Sequence, residues 1–183
     1  MKTDEKGKSI LLCGLPGSGK SETGRELAGL LDLPFIDLDR LVEENQGKTI
    51  VEIFGESGET HFREIEADIL EKLLETDDPH VIALGGGTIE TERAWRAIEH
   101  SDAITVWLIV DPVVAARRLE ENNMVPSRPL LKGLSGEKLQ KRLSRLFERR
   151  RPEYEACLVY ADANDEGPAK AAACILNYIE DEY

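Results

Sequence analysis

Gly14-Leu15-Pro16-Gly17-Ser18-Gly19-Lys20-Ser21 fits the pattern G-x-x-x-x-G-K-[ST], and the rest of the chain is read outward from it. Ahead of it, Ser9-Ile10-Leu11-Leu12-Cys13 has the length and apolar character of a buried strand. Behind it, Leu27, Leu30 and Leu31 fall at helical spacing. A strand that turns through glycines into a helix aims a row of backbone N–H groups at one spot, where the helix N-terminus adds positive potential. Such a turn holds a phosphate, with Lys20 reaching the terminal phosphates and the Ser21 hydroxyl ligating Mg²⁺. An ordinary glycine-rich turn would not require strand, Lys-Ser pair and helix together. The expectation is a nucleotide site.

The composition bounds what else the chain does. Its 183 residues suit a single domain with a substantial core. No apolar run approaches the ~20 residues of a membrane span. Met1 to Lys8 is polar, without the apolar stretch of a secretory signal. The cysteines, Cys13, Cys157 and Cys174, are odd in number and far apart in sequence, so they read as reduced thiols of a cytoplasmic protein. A net charge of −13 argues against a nucleic-acid partner. It also means that an anionic ligand needs a local gathering of Arg and Lys.

Along the chain, Phe35-Ile36-Asp37 reads as a second strand, ending in two acids, Asp37 and Asp39. Thr49 to Phe54 reads as a helical turn closed by Gly55, and a longer helix from Glu59 carries Phe62, Ile65, Ile69, Leu70, Leu73 and Leu74 on one face. His80 to Leu84 is a third strand running into Gly85-Gly86-Gly87, where missing side chains let a ligand approach the backbone. Ala103 to Val110 is a fourth strand, and Asp111-Pro112 starts a helix. A loop punctuated by Pro126, Pro129, Gly133 and Gly136 follows, long enough to suggest function. A helix through Leu139, Leu143, Leu146 and Phe147 is read as ending at Arg149-Arg150-Arg151-Pro152; Leu158 to Ala161 is the last strand, and Pro168 opens the last helix.

Strands alternating with helices, apolar on both faces, imply a three-layer α/β/α sandwich on a parallel sheet. Ligands sit beyond the carboxyl ends of such strands. The phosphate loop, Asp37/Asp39 and Gly85–Gly87 all fall there, so one cleft is expected. No Asn-Lys-x-Asp guanine motif is present, and the third strand ends in glycines, not in the Asp of a Walker-B strand, so Mg²⁺ support must come from elsewhere. Asp37 is the candidate for that support. A small kinase with a long mobile loop fits best, because closure keeps water from hydrolysing ATP.

These residues resemble the shikimate kinase family, of the nucleoside-monophosphate-kinase-like fold with a five-stranded parallel sheet. The resemblance is carried by Gly14–Ser21, Phe35-Ile36-Asp37-Leu38-Asp39, Gly58-Glu59-Thr60-His61-Phe62-Arg63-Glu64-Ile65-Glu66, Leu84-Gly85-Gly86-Gly87, Ser127-Arg128-Pro129-Leu130-Leu131 and Arg150-Arg151-Pro152-Glu153-Tyr154. Only the first is specific alone; the set, in the family's order, spans nearly the whole chain. It implies one kinase domain over 1–183 with a mobile lid at about 120–136, transferring the γ-phosphoryl of ATP to the 3-hydroxyl of shikimate with Mg²⁺. By resemblance, Lys20, Asp39 and Arg128 are catalytic. Gly17, Ser18, Gly19, Lys20, Ser21 and Glu22 bind ATP with Arg128, and Arg118 and Pro168 flank the adenine. Asp39, Arg63, Gly85, Gly86, Gly87 and Arg150 bind the acceptor, the two arginines taking its carboxylate. Ser21 serves the metal with Asp37 behind it. A cytoplasmic monomer acting on small molecules, away from membranes and nucleic acids, is expected.

Taken singly, several of these residues have plainer readings. Arg63 and Glu66 read as a surface ion pair worth a few tenths of a kcal/mol; Arg149–Arg151 reads as charge at a helix C-terminus, and Asp37 and Asp39 read as turn or capping residues. Placing Arg150 rests on counting back from Pro152 and Tyr154, with Arg149 and Arg151 adjacent. His61, His80 and His100 have no ligand or triad spacing. The chain departs from the family at Glu22, where a second hydroxyl is common, in a longer lid before Arg128, and at acidic Asp165-Glu166. Two other readings stay open: a kinase of another hydroxy acid such as gluconate, and a catalytically silent nucleotide-binding relative.

Overall fold

The computed structural model describes residues 7–164 and 167–182. In chain order the elements are β1 (Ile10–Cys13), α1 (Lys20–Leu31), β2 (Phe35–Asp37), α2 (Leu38–Gln46), α3 (Ile50–Leu74), β3 (Val81–Ala83), α4 (Glu92–His100), β4 (Ile104–Ile109), α5 (Pro112–Glu121), α6 (Gly136–Glu155), β5 (Val159–Asp162) and α7 (Gly167–Glu182). The strands form a five-stranded parallel sheet in the order β2-β3-β1-β4-β5.

Residues of β1 alternate between two cores, as the pleat requires. Ile10 and Leu12 join Leu27 and Ala28 of α1 and Ala172 and Ile175 of α7. Leu11 and Cys13 face the other way, onto Ala67 and Leu70 of α3, Ala94 and Ile98 of α4, and Tyr154 of α6. Helices therefore cover both faces, and the central strand shows no polar side. The order also places the end of β1 between those of β3 and β4, so the phosphate loop is flanked by the triglycine. No helix among the described residues is long and apolar enough to cross a membrane.

Two boundaries differ from the sequence expectation. The break in α3 falls at Gly58 (φ 80°, ψ 173°) rather than Gly55, because Thr49 and Glu52 form a reciprocal cap that carries helical winding past Gly55. Helix α6 does not stop at Pro152 but runs to Glu155. Proline removes one helical hydrogen bond, yet the last turn is held from outside by Tyr154, fully buried and stacked on Trp107 with ring centroids 5.4 Å apart. The long loop is not free of the core: Val125 and Leu131 are buried with Leu119 of α5 and Leu139 of α6, and Pro129–Leu131 form a 3₁₀ turn.

The thiols remain free, but two of them meet. Cys13 Sγ lies 3.3 Å from Cys157 Sγ, both buried, while Cys174 is exposed.

Candidate active site

The phosphate loop takes its shape from glycine at Gly17, where φ is +85° and a Cβ would lie 2.7 Å from the Ala115 carbonyl oxygen. Ser18 N–H donates to the Leu15 carbonyl at 3.0 Å, closing the turn before α1 begins at Lys20. Lys20 Nζ donates back to the carbonyls of Gly14 and Leu15, at 2.9 and 3.1 Å. Burial, with Arg128 adding to it, lowers its pKa to about 8. The ammonium thus sits where only an anion restores full charge stabilisation.

Asp37 performs two tasks. Its Oδ1 accepts from Arg40 N–H as the N-cap of α2, and its Oδ2 accepts from Ser21 Oγ at 2.5 Å. The capping reading holds, and the same carboxylate also meets the Ser21 hydroxyl. In the first turn of α2, Asp39 Oδ2 lies 4.0 Å from Arg128 Nη1. Burial raises the Asp39 pKa; Arg128 opposes this and Asp37 adds to it.

The Arg63–Glu66 pair is not on the surface. Glu66 is 1% exposed and Arg63 Nη1 donates to its Oε2 at 2.6 Å, while Nη2 reaches Glu59 Oε1 at 3.4 Å. Glu66 Oε1 accepts from Thr88 Oγ1 at 2.6 Å, which ties α3 to the turn after β3. Burial raises the Glu66 pKa against the pull of Arg63. At the other end of the sequence, Arg150 is 1% exposed, whereas the side chains of Arg149 and Arg151 are about half exposed. Of the three, Arg150 alone is enclosed by the protein.

These side chains crowd the triglycine. A Cβ on Gly87 would lie 2.4 Å from Arg63 Nη2 and 3.2 Å from Arg150 Nη2, so those nitrogens are at most about 5.6 Å apart, the sum of the two. Two guanidiniums at that separation repel by about 3 kcal/mol at an effective dielectric near 20, before their acidic partners are counted. Gly85 is equally enclosed, with Glu66 Oε1 and Asp39 Oδ1 where its Cβ would be. The triglycine is a packed requirement, not a slack turn.

Two connected spaces result. A cleft of about 600 Å³ is lined by Gly17, Ser18, Gly19, Lys20, Ser21, Glu22, Asp37, Asp39, Arg118, Arg128 and Pro168, among others. A smaller pocket of about 60 Å³ joins Asp39, Arg63, Gly86, Gly87, Arg128 and Arg150 with the apolar walls Ile50, Phe54 and Phe62. Ser127–Leu131 line it too, so the long loop stands down over it. Every expected site residue therefore borders these spaces or, as with Gly85, packs against a residue that does. Arg118 Nη2 donates to the Asn164 carbonyl, which holds α5 to the end of β5 beside Pro168. Asp165-Glu166 lies outside the described residues. A separate groove of about 530 Å³ between α3 and α4 lies away from the phosphate loop, and its arginines are occupied by Asp68, Glu71 and Glu92.

Sequence reasoning missed Glu90 and Thr88, and took Glu66 only as a neighbour of Arg63. Thr88 and Glu90 sit just past the triglycine, but their partners are 22 and 60 residues away, and no local spacing links them.

The shikimate kinase family profile matches residues 16–180. The shikimate kinase of Caulobacter vibrioides is 40% identical over 169 residues, covering 92% of this chain and 80% of that protein. Among solved structures, shikimate kinase from Acinetobacter baumannii in complex with shikimate superposes with a TM-score of 0.85 at 31% identity, over 95% of this chain and 93% of that one. A gluconokinase from Sinorhizobium meliloti, at TM-score 0.62 and 19% identity over 95% and 94% of the two chains, shares the fold alone. The chain belongs to the shikimate kinase family, ATP-dependent kinases that act on a hydroxyl group.

Proposed function

We propose that this kinase carries the γ-phosphoryl of ATP to the 3-hydroxyl of shikimate, with Asp39, Lys20 and Arg128 acting at the reacting atoms. The convergence of Arg63 and Arg150 beside Gly87 carries the reading: two guanidiniums this close on a chain of net charge −13 call for a bound carboxylate. With the carboxylate held there, the ring lies along Gly86 and Gly87 and a hydroxyl meets Asp39. Asp39 accepts the hydroxyl proton as the oxygen attacks the γ-phosphorus and the bond to the bridging oxygen of ADP breaks. Phosphoryl transfer needs mainly alignment and charge neutralisation, which Lys20 and Arg128 supply.

The run from Gly17 to Glu22 holds the phosphates on backbone N–H groups, and Arg118 and Pro168 flank the adenine. Mg²⁺ fits the Ser21 hydroxyl with Asp37 behind it, a hard-oxygen set of the kind this ion shares with phosphate oxygens, and when bound it would neutralise charge on the β- and γ-phosphates. We read residues 1–183 as one kinase domain with a lid at about 120–136, acting as a cytoplasmic monomer without nucleic-acid or membrane partners. One sheet through the described residues, the acidic charge and the free thiols support this.

A coupled ADP-release assay tests the reaction. ADP should appear only when shikimate is added. Equal release without acceptor, or faster release with gluconate, would overturn the assignment.

A further inference from the structure

Arg150 is fully enclosed, and a buried guanidinium needs each edge either satisfied or reserved for a ligand. Its Nε donates to Glu90 Oε2 at 2.9 Å, and Nη2 lies 2.8 Å from the same oxygen. Glu90 Oε1 accepts from Nε of Arg149. Nη1 of Arg150 is buried without a hydrogen bond among the described residues, as is the Tyr154 hydroxyl one helical turn on, and Nη1 lies 3.8 Å from where a Cβ of Gly86 would be. One edge of the fork is held by the protein and the remaining nitrogen is left over.

We propose that Glu90 is a positioning residue for the acceptor: it grips the Nε/Nη2 edge of Arg150 and so directs Nη1 at the acceptor's carboxylate. This rests on reading Arg63 and Arg150 as the carboxylate clamp. Glu90 is well placed for the task. It ends the 3₁₀ turn Thr88–Glu90, and its N–H donates to the Gly87 carbonyl, so its backbone is fixed by the same glycine that lines the pocket. Orienting the guanidinium in advance removes rotamer freedom that binding would otherwise have to remove. A lone carboxylate would also cancel the charge meant for the ligand. Arg149 answers this, because two arginines against one glutamate leave the group one positive charge. Although partial burial opposes it, the hydrogen bonds and charge of Arg149 and Arg150 hold the Glu90 carboxyl below its ordinary pKa, so it stays ionised near neutrality.

The competing explanation is that Glu90 only ties the 3₁₀ turn to α6. Full-length Glu90→Gln, Glu90→Asp, Arg150→Lys and the Glu90→Gln/Arg150→Lys double variant separate the two, through kcat, KM for each substrate and shikimate Kd by calorimetry. Glu90→Gln should weaken shikimate about tenfold, the loss expected for one charged hydrogen bond. KM for ATP should stay within about twofold, Glu90→Asp should recover part of the loss, and the double variant should be little worse than Arg150→Lys alone. Shikimate affinity unchanged in Glu90→Gln, equal weakening of both substrates, or a full additive loss in the double variant would each overturn the proposal. Arg150→Lys that binds shikimate like the parent removes the clamp and this proposal together. A weakened Arg150→Lys beside an unaffected Glu90→Gln removes the role of Glu90 alone. If Glu90→Gln does not fold, Glu90→Asp supplies the same comparison, again against Arg150→Lys.

Discussion

Arg128 Nη1 faces Asp39 Oδ2 across 4.0 Å, so an arginine of the connection between α5 and α6 meets a carboxylate in the first turn of α2. In the reaction proposed above the two groups work on opposite ends of one transfer, Arg128 on the phosphoryl oxygens and Asp39 on the attacking hydroxyl. Asp39→Asn keeps the shape and removes the base. Its kcat should fall by ~10²–10⁴-fold while most shikimate affinity remains. Because burial raises the Asp39 pKa, kcat/KM of the parent should decline as pH falls through a value above the ordinary one for Asp, where the base takes up its proton. A fall in kcat of less than about tenfold would make Asp39 an anchor only.

Lys20 titrates near pH 8 instead of 10.5. Above that value the free protein loses the ammonium, so ATP affinity should weaken as pH rises through about 8. In the ATP complex the phosphates favour the charged form, and the corresponding limb in kcat should lie at higher pH. The stability sign is the reverse. Between about 8 and 10.5 the unfolded chain keeps a proton that the folded one has released, so this group's contribution to stability rises with pH. Lys20→Ala should fold, lose turnover and show no such limb when ATP binding is titrated against pH. A limb that persists there belongs to another group.

Gly87→Ala tests the crowding at the clamp. The backbone there, at φ −120° and ψ 9°, accepts alanine, so the effect must come from the side chain. The new methyl would lie 2.4 Å from Arg63 Nη2, the tip of a long side chain that can swing away. The fold should survive with a lowered Tm, because displacing Arg63 loosens its pairing with buried Glu66, while shikimate KM rises about tenfold or more. An unchanged shikimate KM in a folded variant would remove Arg63 from acceptor binding.

Ser127–Leu131 of the long loop line the smaller pocket, so a lid of the kind proposed above would cover the acceptor. Residues about 120–136 should exchange amide hydrogens faster without ligands than with nucleotide and shikimate together. Val125 and Leu131, buried against α5 and α6, should be the slowest of the segment in both states. Equal protection with and without ligands would mean that the loop is a fixed wall.

Sequence reading succeeded where a function needs a local pattern. The phosphate loop is contiguous, Asp37 and Asp39 are two apart, and the triglycine follows its strand directly, so strand ends could be aligned without coordinates. It failed where the cause is tertiary. Glu66 reads as a helix-surface partner of Arg63 because spacing three apart says nothing about what covers that face; the triglycine turn and Thr88 bury it. Pro152 reads as a stop because the stacking of Tyr154 on Trp107 is a contact between distant segments. Cys13 and Cys157, 144 residues apart, show no sign in sequence that their sulfurs meet.

With β1 in the middle of the sheet, Asp37, Asp39 and Gly85–Gly87 stand on the β2/β3 edge, while Arg118 and Pro168 stand on the β4/β5 edge. In heritable terms, a chimera could exchange residues 35–90 as a cassette, and Asp37 would travel with it, carrying its contact with Ser21 of the phosphate loop. Glu90 is the seam in that plan. It lies at the cassette's end but grips Arg150 from the far end of the chain. A chimera that imports the cassette without position 150 would receive a glutamate with no guanidinium to orient, and one that imports position 150 alone would bury a charge with nothing to hold it.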